Sequence, residues 1–215
     1  MDGTGMVDVR SEAELRALIG SPAPRTRDKA RPSLHQHDRE WLARSPFCLI
    51  ATSAADGSCD VSPKGDPAGF AKVLDDRTIA IPDRAGNRRA DGFLNLLQNP
   101  QIGLIFLVPG RGDTLRINGR ARIVSDAPFF DQMVVARNRP RLAVVVDVQE
   151  VFFHCSKAFL RSELWQQTTW DPTALPSRAQ IARSLERPDD TLETLEEYYG
   201  PRYADGLYPP GTVTP

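Results

Sequence analysis

Short β-type segments separated by tight turns fill the middle of the chain, and this succession limits the fold more than any other feature of the sequence. Residues 47–52 have strand character, and the hairpin signal Asp56-Gly57 closes them. A second hairpin pattern covers residues 70–81, and a valine-rich strand pattern covers residues 142–153. Tight turns join strands in antiparallel pairs, whereas a doubly wound parallel sheet needs regular helical crossovers. We therefore expect an antiparallel sheet.

Two other strand patterns predict which faces are buried. Residues 102–108 are almost all apolar, which is typical of a strand buried on both faces. Residues 114–124 alternate, with one apolar face and one polar face. The polar face consists of Arg116, Asn118, Arg120 and Arg122. We expect it to meet water, a ligand or a partner.

Helical patterns flank the strands, at residues 89–98, 127–136, 177–186 and 190–199. A capping-box pattern that begins at Ser11 predicts a further short helix, which Gly20 ends. Together the patterns predict an α+β protein that is mainly β, with a six-stranded antiparallel barrel flanked by helices. The predicted divisions are a helical arm and connector (1–35), the barrel domain (36–165) and a helical extension packed on it (166–215).

Composition narrows the possible partners. The net charge is -1 at pH 7 and the pI is about 6.3, whereas proteins that bind nucleic acid usually carry a clear basic excess. No apolar run approaches the ~20 residues that span a bilayer, and the first 19 residues lack a signal-like apolar core. We therefore expect a cytoplasmic protein that binds neither nucleic acid nor membranes.

The three cysteines, Cys48, Cys59 and Cys155, are too few and too scattered for a disulfide framework or a zinc cluster. We expect each to be a buried, inert thiol and expect no metal site. The chain also lacks a Walker sequence, GxGxxG after a strand, HExxH and GxSxG, so the usual signatures of the corresponding enzymes are missing. No residue is identified as catalytic.

A first candidate binding segment is the sequence SPKGDPAGF at positions 62–70. It places the Ser62 hydroxyl, the Lys64 ammonium and a carboxylate beside two glycines at the end of a strand. Small residues allow a ligand to approach the backbone. An ordinary loop with solvated charges is the alternative.

A second candidate segment, positions 81–89, lies directly before the predicted helix 89–98. Helix N-termini offer unpaired amides and a positive dipole end, so Arg88 and Arg89 are unfavourable there unless an anion joins them. These two arginines are thus candidates for a phosphate site. A solvated basic turn is the alternative.

The third segment, positions 154–162, follows the valine-rich strand. His154 fits either a histidine at the edge of the core or a functional group. Lys157 and Arg161 are four residues apart and would share one face of a helical turn, where an anion between them would relieve their repulsion.

In this order the three segments resemble the FMN-binding split-barrel proteins of the pyridoxamine 5'-phosphate oxidase-like family, in particular a bacterial subgroup. Further matching stretches are Ile81-Pro82-Asp83, Gly86-Asn87-Arg88-Arg89, Asn99-Pro100 and residues 115–121. The resemblance implies a split β-barrel and an FMN site. The implied cofactor residues are Ser62, Lys64, Ile81, Pro82, Asn87, Arg88, Arg89, Thr114 and Arg116, with Arg88, Arg89 and Asn87 holding the phosphate.

The resemblance also implies a homodimer in which His154 to Lys157 of one subunit close the cofactor site of the other.

Two features depart from true pyridoxamine phosphate oxidases. The C-terminal tryptophan and arginine arrangement is not evident after Trp165, and Ser62-Pro63-Lys64-Gly65 replaces an arginine-led motif. Oxidation of pyridoxamine phosphate itself is therefore not expected.

Two function classes follow from this interpretation. The first is an FMN-dependent oxidoreductase that transfers a hydride or electrons to or from a small molecule. The second is a non-catalytic protein that binds or senses a flavin, a deazaflavin or haem, with His154 as its candidate metal ligand. A basic stripe of Arg116, Arg120 and Arg122 would suit nucleic acid, but the near-neutral charge disfavours it.

Overall fold

The computed structural model describes residues 5–208, and the chain divides into two compact units, Met1–Ala30 and Arg31–Pro215. Positions 1–4 of the predicted arm and positions 209–215 of the predicted C-terminal extension lie outside the described residues. None of the helices formed by residues 5–208 has the length and apolar character that crossing a bilayer requires.

The first unit contains two short helices, α1 (Glu12–Ile19) and α2 (Pro24–Arg27). The Ser11 side chain accepts a hydrogen bond from the Glu14 amide at 3.2 Å, and Gly20 ends the helix with a φ of 74°. The capped N-terminus and the glycine stop of α1 are therefore as the sequence predicted.

The second unit is built on one antiparallel sheet of seven strands in the order β2-β1-β5-β6-β7-β4-β3. The strands are β1 (Phe47–Ser53), β2 (Cys59–Gly65), β3 (Lys72–Val73), β4 (Thr78–Pro82), β5 (Gln101–Leu107), β6 (Thr114–Val124) and β7 (Ala143–His154). Five α-helices accompany them: α3 (Gln36–Arg44), α4 (Asp91–Gln98), α5 (Lys157–Ser162), α6 (Arg178–Leu185) and α7 (Leu192–Tyr198). The 3-10 helices are Pro128–Met133, Gln167–Thr169, Pro172–Ala174 and Pro201–Gly206.

Two ion pairs bring the edge strand β2 to the far side of this sheet. Lys64 of β2 lies 2.7 Å from Asp83, which follows β4, and Asp66 lies 2.6 Å from Arg84. Because β4 is the sixth strand in the order and β2 the first, the sheet must curl for these contacts to form. This α+β class with a curled antiparallel sheet agrees with the predicted split barrel.

The inner face of the curled sheet forms the main core. Cys48 of β1, Phe106 of β5 and Leu115 of β6 stand in one row across the sheet and are fully buried. Strands β4 and β7 are buried on their other face as well, because Ala80 and Val145 pack against Phe130 and Met133. Helices α6 and α7 form a separate small core of Ala179, Ala182 and Leu195.

The pairing of β6 with β7 shifts register between Asn118 and Gly119, so β7 contains one extra residue at this point. A Cβ atom on Gly119 would lie 2.3 Å from the backbone oxygen of Asp147, which is closer than any side chain tolerates. The glycine therefore allows the two backbones to approach at the bulge.

Several sequence predictions are corrected by the structure. The sheet has seven strands rather than six, because Lys72–Val73 pairs as a short strand with β4. Strand β5 is not buried on both faces: Ile102, Leu104 and Phe106 are buried, but Ile105 is 36% exposed. Ile105 lies on the outer face of the sheet, which residues 5–208 leave partly exposed at this position.

The observed helices also differ from the predicted ones. Helix α4 begins at Asp91 instead of residue 89, because Arg88 and Ala90 both adopt a φ of 61°, which a right-handed helix excludes. The predicted helix 127–136 is a 3-10 helix at Pro128–Met133, followed by Ala136 and Arg137 at positive φ. Helix α3 was missed because His35, an unusual N-cap, begins it together with Asp38.

Candidate cofactor site

The inner side of β2 carries three polar residues, Asp60, Ser62 and Lys64. The register pairs them with Thr52, Ile50 and Cys48 of β1, all of which are buried. Because directly paired residues share one face of a sheet, the polar residues of β2 face the same way as the core. The β2 edge of the barrel therefore presents polar groups where the other strands present apolar ones.

Helix α4 covers this polar row. Asn95 is buried and donates hydrogen bonds to Thr52 Oγ1 at 3.1 Å and to Asp60 Oδ2 at 2.8 Å. A Cβ atom placed on Gly92 would lie 3.5 Å from Thr52 Oγ1 and 3.9 Å from Ser62 Oγ. The first turn of α4 thus lies directly over the Ser62 hydroxyl.

Lys64 occupies the end of the row. Its Nζ donates to Asp83 Oδ1 at 2.7 Å and lies 5.2 Å from the centre of the Phe93 ring. Both charged side chains are 25% exposed. The ammonium is therefore held between β2, the residue after β4 and the start of α4, where solvent screens its charge incompletely.

Beneath Lys64, burial raises the pKa of the Cys48 thiol to about 12, although the nearby ammonium acts in the opposite direction. Cys48 thus matches the predicted inert thiol. The same prediction is wrong for Cys59 and Cys155, which are exposed. Neither of these two lies on a strand face that packs into the core.

Residues 83–90 connect β4 to α4 and contain the predicted phosphate arginines. The charge of Arg89 is neutralised locally, because its guanidinium pairs with Asp91. The Arg89 backbone amide donates a hydrogen bond to Asn87 Oδ1 at 3.0 Å. The Asp91 carboxylate raises the pKa of Arg89, and Asp60 acts in the same direction. Arg88 is exposed and has no hydrogen bond or ion pair to any of residues 5–208.

The start of α4 has no side-chain cap, since its N-cap residue is Ala90. The first amides of a helix have no acceptor within it, and they favour an anion. Arg88 and Arg89 lie two to three residues before this helix start rather than within it. The uncapped amides, the Ser62 hydroxyl and the Arg88 guanidinium are thus all contributed by β2 and residues 83–92.

Arg84 anchors the beginning of the same connection. Its guanidinium donates to Asp66 at 2.6 Å, to the Met133 carbonyl at 2.6 Å and to the Asn138 carbonyl at 3.2 Å. The Tyr208 hydroxyl donates to the other oxygen of Asp66. Neither Arg84 nor Tyr208 was identified from the sequence, because Asp66 and Tyr208 are 142 positions apart and no local pattern links them.

Ile81 and Pro82 are buried, and the Ile81 side chain is part of the main core. Their place in the site stays a prediction.

The remaining predicted residues lie elsewhere. Arg116 stands in a row with Ile105 and Leu49 on the outer face of the sheet, opposite to the face of Lys64. Its side chain contacts Asn118 at 3.3 Å and lies 5.4 Å from the Phe152 ring centre. Thr114 pairs with His154 across β6 and β7, and Lys157 begins α5. Within one chain, the structure does not bring this outer group together with Ser62 and Lys64.

The donors of the β2 and 83–92 region suit a phosphate-bearing cofactor. Arginine and lysine side chains, a hydroxyl and helix amides are the groups that bind phosphate in proteins. Among residues 5–208 there is no group of three His, Cys, Asp or Glu side chains that could hold a metal ion. The chemistry of the donors therefore fits a phosphate-bearing ligand such as FMN.

A family model described as pyridoxamine 5'-phosphate oxidase matches residues 34–155, which is more than half of the chain. The chain belongs to the pyridoxamine 5'-phosphate oxidase family. The matched region of this family member begins just before α3 and ends just after β7, so it contains the whole sheet. The family resemblance inferred from the sequence is thus confirmed. No curated protein matches this family member.

Three solved structures similar to this family member each match little more than half of it. HupZ from Group A Streptococcus is 18% identical, with a TM-score of 0.45, and the match covers 56% of this chain and 93% of HupZ. An FMN-binding protein from Syntrophomonas wolfei is 14% identical (TM-score 0.41; coverage 55% and 89%). HutZ, the haem storage protein from Vibrio cholerae, is 14% identical (TM-score 0.39; coverage 56% and 93%).

Proposed function

We propose that this protein binds FMN and uses it as an oxidoreductase acting on a small molecule. The observation that carries the proposal is Arg88, which precedes the uncapped start of α4 by three residues and has no hydrogen bond or ion pair to any of residues 5–208. Membership of the family supports the choice of cofactor. Bound FMN would supply hydride or electron transfer, which needs no side-chain nucleophile from the protein.

The phosphate would be held by residues 87–92. Arg88 would form charge-assisted hydrogen bonds with it, and the amides at the start of α4 would add donors aligned with the helix dipole. Arg89 is already paired with Asp91, so its contribution would be smaller. Ser62, under the first turn of α4, would donate its hydroxyl to the same ligand.

Lys64 would serve the electron-rich part of the cofactor. Its ammonium is only 25% exposed and is fixed by Asp83. The carboxylate offsets part of its charge, as Asp91 does for Arg89, but the ammonium keeps further N–H donors at a fixed place. A positioned charge in a poorly screened site stabilises negative charge that develops during a reaction, and it needs no reorganisation to do so. Lys64 would thus favour the reduced, anionic form of a flavin.

We also propose that the active form is a homodimer. The outer face of β1, β2 and β5 leaves Phe47, Val61 and Ile105 between 36% and 63% exposed, and apolar sheet faces of this kind are usually covered. A second copy would bring Thr114, Arg116, His154 and Lys157 to the site. Ile105→Glu should give monomers in sedimentation and should lose flavin affinity in a titration. Leu185→Glu, on the exposed side of α6, is the control and should show neither effect.

The decisive test is a titration of the purified protein with FMN, followed by absorption. The wild type should bind FMN, and Arg88→Ala/Arg89→Ala should lose most of that affinity. A nicotinamide donor that reduces the bound flavin, followed by reoxidation with an acceptor, would support turnover. A flavin that stays inert to all donors would support a sensor instead. A Soret band in the absorption spectrum would show that the bound cofactor is haem and not a flavin. Absence of flavin uptake by the wild type would refute the proposal.

Three statements stay predictions: the cytoplasmic location, the absence of nucleic-acid binding, and the division into an arm, a barrel and an extension. Salt-dependent DNA binding would contradict the predicted absence of nucleic-acid binding.

A further inference from the structure

Asp66 is the most deeply buried carboxylate near the candidate site, since its side chain is 1% exposed. Its Oδ2 accepts from Arg84, and its Oδ1 accepts from the Tyr208 hydroxyl. This donation raises the pKa of the Tyr208 phenol, which donates to the carboxylate only in its protonated form. Both oxygens of the carboxylate therefore depend on partners from distant parts of the chain.

Arg84 is the last firmly anchored residue before the phosphate segment, which we define as residues 85–90. Three protein acceptors hold its guanidinium, and the Tyr208 ring centre lies 5.8 Å from its Cζ. All six residues of the phosphate segment are exposed. The position of this segment is thus set at one end by Arg84 and at the other by the start of α4.

Tyr208 comes from the C-terminal part of the same unit. The 3-10 helix Pro201–Gly206 precedes it, and Tyr203 of that helix packs on Tyr199 with ring centres 5.4 Å apart. The chain between α7 and Tyr208 is therefore held at two points, by the tyrosine pair and by Asp66.

We propose that Tyr208 is a latch, which fastens the C-terminal segment (residues 201–208) to the Asp66–Arg84 pair and thereby positions the phosphate segment. Releasing the latch leaves a buried carboxylate oxygen without its donor, so Asp66 and Arg84 shift to reach water. That shift loosens the residues that follow Arg84. Its consequence for ligand binding rests on the proposed FMN function, whereas the structural coupling does not.

The first test uses the full-length protein without ligand. Tyr208→Phe removes only the hydroxyl, and Tyr203→Phe is the matched control because Tyr203 does not contact Asp66. Hydrogen exchange in Tyr208→Phe should become about tenfold faster at hydrogen-bonded amides of the two segments, such as those of Arg89 and Leu207, as expected when a hydrogen bond to a charged group is lost. Tyr203→Phe should leave the phosphate segment unchanged. An unchanged phosphate segment in Tyr208→Phe, or equal acceleration in both variants, would overturn the latch.

The second test compares FMN with riboflavin, which lacks the phosphate. A latch that acts through the phosphate segment should lower the affinity of Tyr208→Phe for FMN several-fold and leave riboflavin binding unchanged. Equal loss for both ligands would indicate general destabilisation and count against the positioning role. If the wild type binds neither ligand, the FMN function fails, and the exchange experiment alone decides the latch.

Discussion

Lys64 Nζ lies 2.7 Å from Asp83 Oδ1, and this ion pair joins the first strand of the sheet order to the residue after the sixth. Because β2 and β4 are not hydrogen-bonded neighbours, side chains rather than backbone ladders hold these parts of the barrel together. The pair also lies at the candidate cofactor site. The pair therefore contributes to the closure of the sheet, and under the proposed function Lys64 would also contact the ligand.

A double-mutant cycle on this pair should show coupling. Lys64→Met and Asp83→Asn should each destabilise the protein, because each leaves a charge that is three-quarters buried without its partner. The double variant should recover about 1 kcal/mol relative to the sum of the singles in urea unfolding. Arg122 and Asp147, which are paired at 2.9 Å but 58% exposed, give the control cycle with a coupling near zero. Equal coupling in both cycles would contradict the role of the Lys64 pair in closing the barrel.

The two arginines of the phosphate segment should contribute unequally. Arg88→Ala should weaken FMN binding about ten- to a hundredfold, because it removes a cation that has no partner among residues 5–208. Arg89→Ala should weaken it less, since Asp91 already neutralises Arg89. Fluorescence titration with FMN and riboflavin measures both, and riboflavin binding should not change.

Arg183→Ala, on the exposed side of α6, is the matched control for these arginine variants and should bind FMN like the wild type. A larger effect of Arg89→Ala than of Arg88→Ala would mean that the Asp91 pair breaks when the ligand arrives. That result would reverse the assignment of the principal phosphate ligand.

The sequence predicted those parts of the fold that depend on local patterns. Strand β6 was placed at its observed ends, because its alternation is regular and one face is the core. The end of α4 at Gln98 was also predicted, but its start and the 3-10 helix 128–133 were not. Arg88, Ala90 and Ala136 adopt positive φ values that these residue types rarely show, and no sequence pattern signals them. Asp66, Arg84 and Tyr208 meet only in the folded chain, so no spacing could reveal them.

The buried thiol of Cys48 should make stability fall in alkaline solution. Its pKa is about 12 in the folded state, against 9.0 for an ordinary thiol. Above pH 9 the unfolded chain loses the proton while the folded chain keeps it, so the stability that is present at lower pH is lost as pH rises. The slope due to this group approaches about 1.4 kcal/mol per pH unit.

Urea unfolding of wild type and Cys48→Ala between pH 8 and about pH 10.5 isolates this effect, because tyrosines and lysines titrate alike in both proteins. The difference between the two stabilities should shrink as pH rises. Thiol reagents should modify Cys59 and Cys155 in the folded protein and leave Cys48 unmodified. A pH-independent difference would show that Cys48 ionises as readily in the folded state as in the unfolded one.

Gly119→Ala should be the most damaging single-methyl substitution in the sheet. The new Cβ would lie 2.3 Å from the Asp147 backbone oxygen and 3.0 Å from Val146 Cγ1, so β6 and β7 would have to separate at the bulge. Overpacking of this kind costs about 1–3 kcal/mol, and a clash with backbone belongs at the upper end.

Gly103→Ala is the control on the neighbouring strand, because its Cβ would meet Asn118 Oδ1 and the Ala51 Cβ at 3.6 and 3.8 Å, which are ordinary contacts. Thermal unfolding should therefore show a large loss for Gly119→Ala and a small change for Gly103→Ala. Equal stabilities would mean that the register shift between β6 and β7 relaxes without cost, and that the bulge does not require glycine.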